Sequence, residues 1–164
     1  MATPPAVWEA GPHEAGVVVG LLVEFRDWFG TSWPPADVLL RSVETLLQQS
    51  DTVFLLGSPS RHARPEGVCQ LRFRLSVWTA AEDCWLEDFY VREPLRGTGL
   101  GRALLDAACG HARERGCRRI ELDVNEANAR AIRLYQAFGF SPHSKGTSTT
   151  GRDILMGMKL AAGR

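Results

Sequence analysis

The chain has 164 residues, with 19 Lys and Arg balanced by 19 Asp and Glu. The length predicts a single domain, 1–164, with room for a substantial core. Zero net charge excludes a dedicated nucleic-acid binder, whose affinity rests on a basic excess. A composition 45% hydrophobic and 23% charged excludes a disordered chain.

The zero hides a split. Residues 1–91 sum to −6, residues 92–133 to +3 and residues 134–164 to +3. The order predicts an acidic first half facing a cationic ligand and a basic second half facing an anionic one; the bland alternative is chance plus a solvated surface. Met1-Ala2-Thr3-Pro4-Pro5 lacks the basic, then apolar pattern of a secretory leader. No apolar run approaches the roughly 20 residues that span a bilayer. Cys69, Cys84, Cys109 and Cys117 have no CxxC spacing, and His13, His62, His111 and His143 form no ligand pattern with them. The cysteines read as reduced, packed thiols of a cytoplasmic protein, with no metal and no membrane partner.

Along the chain, residues 6–10 read as a strand. Val17, Val18, Leu21, Leu22 and Phe25 have helical spacing across 14–29, and Val38, Leu39, Val43, Leu46 and Leu47 repeat it across 36–49. Residues 51–56 read as a strand, and 58–67 as a hairpin loop. Cys69, Leu71, Phe73, Leu75 and Val77 alternate with polar residues, which predicts one buried and one wetter strand face. After a turn at 79–83 the strand 85–91 carries two adjacent carboxylates, Glu87 and Asp88, in an apolar run. Helical spacing resumes from Leu100 to Gly116. Residues 120–124 form another strand. A helix with Ile132, Tyr135 and Phe138 on one side follows a cap at Asn125–Asn128 and stops at Gly139. Residues 143–151 read as a polar loop and 153–160 as a last strand. Strands and helices in this order predict a mixed α/β sheet with a hairpin across 53–91 and a parallel pair across 85–124.

Arg96-Gly97-Thr98-Gly99-Leu100-Gly101-Arg102 lies between a strand and an amphipathic helix. Glycines at alternate positions permit a tight turn and close backbone approach to a ligand. The helix behind them offers unpaired N–H groups and a partial positive charge. Two arginines flank the loop, so the segment reads as a phosphate or pyrophosphate site. The bland alternative is a strand-to-helix turn that needs glycine for its shape alone. Two common motifs do not fit. A dinucleotide fingerprint needs glycine where Arg102 stands, and a P-loop needs a lysine that is absent.

The segment resembles the R-x-x-G-x-[GA] signature of the GNAT (N-acetyltransferase) superfamily. Asn128-Ala129-Arg130-Ala131-Ile132-Arg133-Leu134-Tyr135-Gln136-Ala137-Phe138-Gly139-Phe140 is similar to that family's N-x-x-A-x-x-x-Y-x-x-x-G-F, and Leu86–Val91 resembles the strand before its phosphate loop. The likeness covers 84–141, and its flavour is that of diamine and polyamine acetyltransferases. The resemblance implies a GNAT-like α/β fold with central splayed parallel strands flanked by helices. It also implies acetyl-CoA as co-substrate, no metal, and a homodimer of the kind family members often form.

Residue by residue, it implies that Phe89, Tyr90 and Val91 pair with the pantetheine arm. The backbone N–H groups of Gly97, Thr98, Gly99, Leu100, Gly101 and Arg102 would hold the pyrophosphate, with Arg96 as a flanking cofactor-binding residue. Asn128 and Ala131 would contact the pantetheine or the adenine end, although Asn128 also reads as a plain helix cap. Tyr135 would be the general acid to the CoA sulfur, or else a core tyrosine. Glu87 would accept the amine's proton, with Asp88 beside it toward the substrate. A glutamate in an apolar strand is expected to feel desolvation that favours its protonated form. A backbone N–H around Phe89 or Tyr90 would meet the oxyanion. Trp28, Trp33, Trp78 and Trp85 line an acceptor cleft or belong to the core.

These readings combine as an N-acetyltransferase moving an acetyl group from acetyl-CoA to a primary amine in a ternary complex. The acceptor would be a cationic small molecule or a peptide amine. The other classes are a non-catalytic acyl-CoA-binding module and, more remotely, a dinucleotide enzyme with Asp123 as its ribose-binding acid.

Overall fold

In the computed structural model the described residues are 4–144 and 153–160. They contain a seven-stranded mixed sheet in the order β1-β2-β3-β4-β5-β7-β6, together with four α-helices. The strands are β1 (Ala6–Glu9), β2 (Thr52–Ser58), β3 (Gly67–Ser76), β4 (Ala81–Val91), β5 (Arg119–Asn125), β6 (Ser141–Ser144) and β7 (Asp153–Lys159). The helices are α1 (Ala15–Trp28), α2 (Ala36–Leu46), α3 (Leu100–Glu114) and α4 (Ala129–Ala137). The chain forms two compact units. One holds the residues up to Arg72 together with Asp88–Ala108, and the other holds Phe73–Glu87 with the residues from Cys109 onward.

In the first unit, β2 runs antiparallel to both β1 and β3, with Trp8 opposite Leu56 and Leu55 opposite Cys69. All seven residues of β2 are buried, which explains its unbroken apolar run. Helix α1 places Val18, Leu21 and Leu22 at helical spacing on one face, packed with Val43 of α2, Phe54 and Leu56 of β2, Val68 of β3 and Tyr90 of β4. Before α1, a 3₁₀ turn at Pro12–Glu14 turns the chain. There the Glu14 carboxylate accepts bonds from Gly11 N–H and from the Trp8 indole, each 3.0 Å. The apolar side of α3 in this unit is Leu100, Leu104, Leu105 and Ala108, all fully buried. Leu104 lies over Gly67, where a side-chain carbon would come within 2.8 Å of it.

In the second unit, β4 pairs parallel with β5 at Cys84↔Ile120 and Trp85↔Glu121. The β5 strand runs antiparallel to β7 from Arg119↔Lys159 to Asn125↔Asp153, and β7 antiparallel to β6. The parallel pair and the antiparallel hairpin expected from the sequence are therefore both present. Strand β6 was not expected, because its sequence Ser-Pro-His-Ser has neither β propensity nor alternation. Register with β7 makes it a strand. The rest of the expected polar loop, 145–151, lies outside the described residues.

One expectation fails in β3. Leu75 and Val77 continue the apolar phase, yet they are 76% and 83% exposed, while Gln70 on the polar phase is buried. Alternation decides which face a side chain points to, not whether another element covers that face.

Truncating Leu104 to Ala should cost about 2–5 kcal/mol, because its pocket against Gly67 is rigid backbone that cannot collapse. Urea denaturation of the variant checks this.

Candidate functional site

The glycine-rich segment belongs to the first unit. Strand β4 ends at Val91, a 3₁₀ turn occupies Glu93–Leu95, and the chain reverses before α3 begins at Leu100. Gly97 and Gly99 have φ of +83° and +97°, which residues with a Cβ adopt at a cost of about 1–2 kcal/mol. A side-chain carbon at either position would meet nothing within 4 Å, so the backbone face of the loop is open. The first helical bond of α3 runs from Ala103 N–H to the Gly99 carbonyl, 3.0 Å. Among the described residues no group accepts from the N–H of Gly99, Leu100 or Gly101, as a helix N-terminus leaves them. Thr98 is exposed and donates its hydroxyl to Leu95 O at 2.7 Å. Arg102 is exposed in the first turn of α3.

Arg96 does not face the loop as the sequence suggested. Its Nε donates to Val91 O at 2.9 Å, and its guanidinium lies 5.7 Å from the ring centres of both Trp28 and Tyr90. Such cation–π contacts hold it against α1 and β4. Tyr90 and Val91 are buried, and Phe89 is partly so. Tyr90 also packs on Phe25 at 5.3 Å, and burial, with Glu24 beside the hydroxyl, raises its pKa.

Three residues that the sequence reading did not select complete this part. Arg92 grips Glu24 of α1 with two bonds, 2.8 and 2.6 Å, and Glu66 with a third, 3.0 Å. These hydrogen bonds to Glu24 raise the Arg92 pKa further above its usual value. Glu66 is buried, which alone would raise its pKa. The bonds from Arg64 and Arg92 outweigh that and hold its carboxyl below the usual 4.5. No motif marks these residues, since Arg92 and its partners lie 68 and 26 positions apart.

The second unit carries the other candidates. Asn128 caps α4, its side-chain oxygen accepting from Ala131 N–H at 3.2 Å, so the plain cap reading of this residue holds. Asn128, Ala131 and Tyr135 are spaced by three and four residues and share one face of α4. Tyr135 is 5% exposed, with Phe140 at 5.8 Å. Glu87 is exposed on β4, so the desolvation expected from its apolar neighbours is absent: it points away from the face that buries Leu86. Asp88, which opens the first unit's part of β4, is half-buried.

The expected charge division is also corrected. Arg92 is neutralised by Glu24 and Glu66 in the first unit. In the second, Arg115 pairs with Glu82 at 2.9 Å, and Arg119 with Asp83 at 2.6 Å. Arginines of the basic stretch thus meet carboxylates of the acidic stretch. Of the four tryptophans expected at an acceptor cleft or in the core, Trp28, Trp33 and Trp78 are exposed and Trp85 is partly buried. All four cysteines are buried, and burial pushes the Cys117 thiol up to about 11. Among the described residues no group of three or more His, Cys, Asp or Glu is placed to hold a metal ion, and no helix is long and apolar enough to cross a membrane.

A glycine loop opening a helix after a strand, in a seven-stranded mixed sheet, defines an α/β protein. Residues 19–140 match the model of the Acetyltransferase (GNAT) family. The chain belongs to that family. It is 47% identical over 57 residues to spermine/spermidine N(1)-acetyltransferase of Bacillus subtilis, a match covering 34% of this chain and 38% of that protein. It is 28% identical over 144 residues to aminoglycoside N(6')-acetyltransferase type 1 of Stenotrophomonas maltophilia, covering 85% and 88%. A solved structure from Arthrobacter sp. FB24 is 35% identical, with a TM-score of 0.75 and coverage of 89% and 88%. The match to the Bacillus protein spans well under two thirds of that protein's length.

Because the Glu66 carboxyl is held below 4.5, its ion pairs stabilise the fold fully above that pH. The contribution is lost as pH falls through the folded-state pKa. Replacing Glu66 by Gln should lower stability at pH 7 and flatten the loss below pH 4.5, as read from urea midpoints across pH.

Proposed function

We propose that the chain is an acetyl-CoA-dependent N-acetyltransferase acting on a primary amine. The observation that carries the reading is the open backbone face at Gly97–Gly101, with positive φ at Gly97 and Gly99 and helix N–H groups behind it. This donor set suits a pyrophosphate, and it is backbone rather than arginine that supplies it. The contacts proposed for acetyl-CoA are Phe89 to Val91 for its pantetheine arm, Gly97 to Arg102 for its phosphates, and Asn128 and Ala131 for the pantetheine or the adenine end. Family membership supports the same donor.

The acceptor proposed is a cationic amine, either a small polyamine-like or aminoglycoside-like molecule or a peptide amine. The relatives' own names support that class, and the exposed carboxylate of Glu87 provides for the proton the amine loses. In a ternary complex the amine nitrogen attacks the thioester carbonyl, forming the C–N bond and releasing the C–S bond. Glu87, directly or through water, takes the amine's proton, and Tyr135 supplies one to the departing thiolate. A backbone N–H near Phe89 or Tyr90 is the proposed oxyanion donor. The buried thiols suit a reducing cytoplasm. Residues 1–164 would act as one domain, and pairing of chains follows only from family habit.

Thiol release from acetyl-CoA with a panel of amines tests the reading. Turnover with at least one cationic amine is expected, and acetyl-CoA binding without release would leave a binding module instead. Replacing Tyr135 by Phe should lower kcat by roughly 100-fold or more while leaving the acetyl-CoA Kd nearly unchanged. A fall in affinity alone would remove Tyr135 from the chemistry. Replacing Glu87 by Gln should slow turnover most at neutral pH. The deficit should shrink as pH rises toward the amine's own pKa, where the acceptor no longer needs a base; a constant deficit across pH would argue against that role.

A further inference from the structure

We propose that Arg92 is a positioning residue for the glycine-rich loop, setting acetyl-CoA affinity by tying the loop's root to α1 and to Glu66. The inference rests on the acetyl-CoA reading above. Arg92 is the residue at which β4 stops and the turn toward the loop begins. Its guanidinium makes a two-bond grip on Glu24 of α1 (2.8 and 2.6 Å), and its third nitrogen reaches Glu66 (3.0 Å). Its own backbone N–H bonds the Glu66 carbonyl at 2.9 Å. The residue is thus fixed from two separate parts of the chain, by charge and by backbone.

From that fixed point the chain steps to the loop through short bonds. Leu95 N–H donates to Arg92 O at 2.9 Å, Arg96 N–H to Glu93 O at 3.1 Å and Thr98 N–H to Leu95 O at 3.4 Å, so each carbonyl seats the residue three further on. Only Gly97 and Gly99 beyond them carry the open face. The geometry of that face is inherited from Arg92. Since the donors to an anion here are backbone N–H groups, a small tilt of the turn misaligns several of them together, which a flexible side-chain cation would tolerate. Arg96 braces the same root by bonding Val91 O. Lysine cannot replace Arg92, because a single ammonium lacks the planar fork that meets one carboxylate with two parallel bonds and a second with a third.

The test compares the full chain with Arg92→Lys, Glu24→Gln and, as a match for stability alone, Val43→Ala in the buried face of α2. Acetyl-CoA Kd is measured by calorimetry and Tm by thermal unfolding, both at pH 7. Arg92→Lys and Glu24→Gln should raise Kd five- to fiftyfold, while Val43→Ala lowers Tm as much and leaves Kd within twofold. Unchanged Kd in the first two variants overturns the proposal. An equal rise in Val43→Ala also overturns it, because general loosening would then account for the effect. No binding of acetyl-CoA by the unaltered chain overturns the acetyl-CoA reading itself and this inference with it.

Discussion

Within eight residues after Val91 an extended strand must become the first turn of a helix, and the helix must start with its N–H groups uncovered. That reversal constrains much of the first unit. It needs left-handed backbone at Gly97 and Gly99, because no other residue type takes those angles without strain. It also needs a rigid root, since an exposed loop built on glycine has high conformational entropy of its own. The root is provided by Arg92 between two carboxylates and by Arg96 stacked on Trp28 and Tyr90. On the far side, Leu100 and Leu104 of α3 are fully buried, with Leu104 over Gly67. The loop is therefore held at both ends and open in the middle, the condition under which backbone donors stay aligned without a ligand.

The arginines here are structural. A basic stretch beside a glycine loop invites the assumption that its guanidiniums face phosphate. Arg92, Arg96, Arg115 and Arg119 instead bond carboxylates or a carbonyl of their own unit. Arginine suits this because it keeps its charge and meets a carboxylate with two parallel bonds. In the proposed reading the anionic partner is left to the backbone and to the partial charge at the start of α3. Acids from the first 91 residues are the counterions of Arg92, Arg115 and Arg119.

Much of the fold was legible because its elements obey short-range rules. Helices α1 and α3 repeat their apolar residues at three and four, β2 is an unbroken apolar run, and Gly97 and Gly99 occur where a strand pattern gives way to a helical one. The cap at Asn128 follows the same logic, since a side-chain oxygen needs only a neighbour three residues on. What failed depended on covering surfaces. Leu75 and Val77 carry the correct phase for burial and find no cover, Glu87 sits among apolar neighbours and faces water, and β6 exists only because β7 pairs with it.

The sequence by itself determined the order of elements apart from β6, the family and the place of the glycine loop, because each is written in residues a few positions apart. Tertiary structure alone decided where the charges went. Arg92 meets Glu24 and Glu66 across 68 and 26 residues, and no local periodicity encodes that distance. Ion pairing depends on which side chains the packing of α1 and β4 brings within about 3 Å, and there charges counted apart along the chain become closed pairs at the root of an open backbone loop.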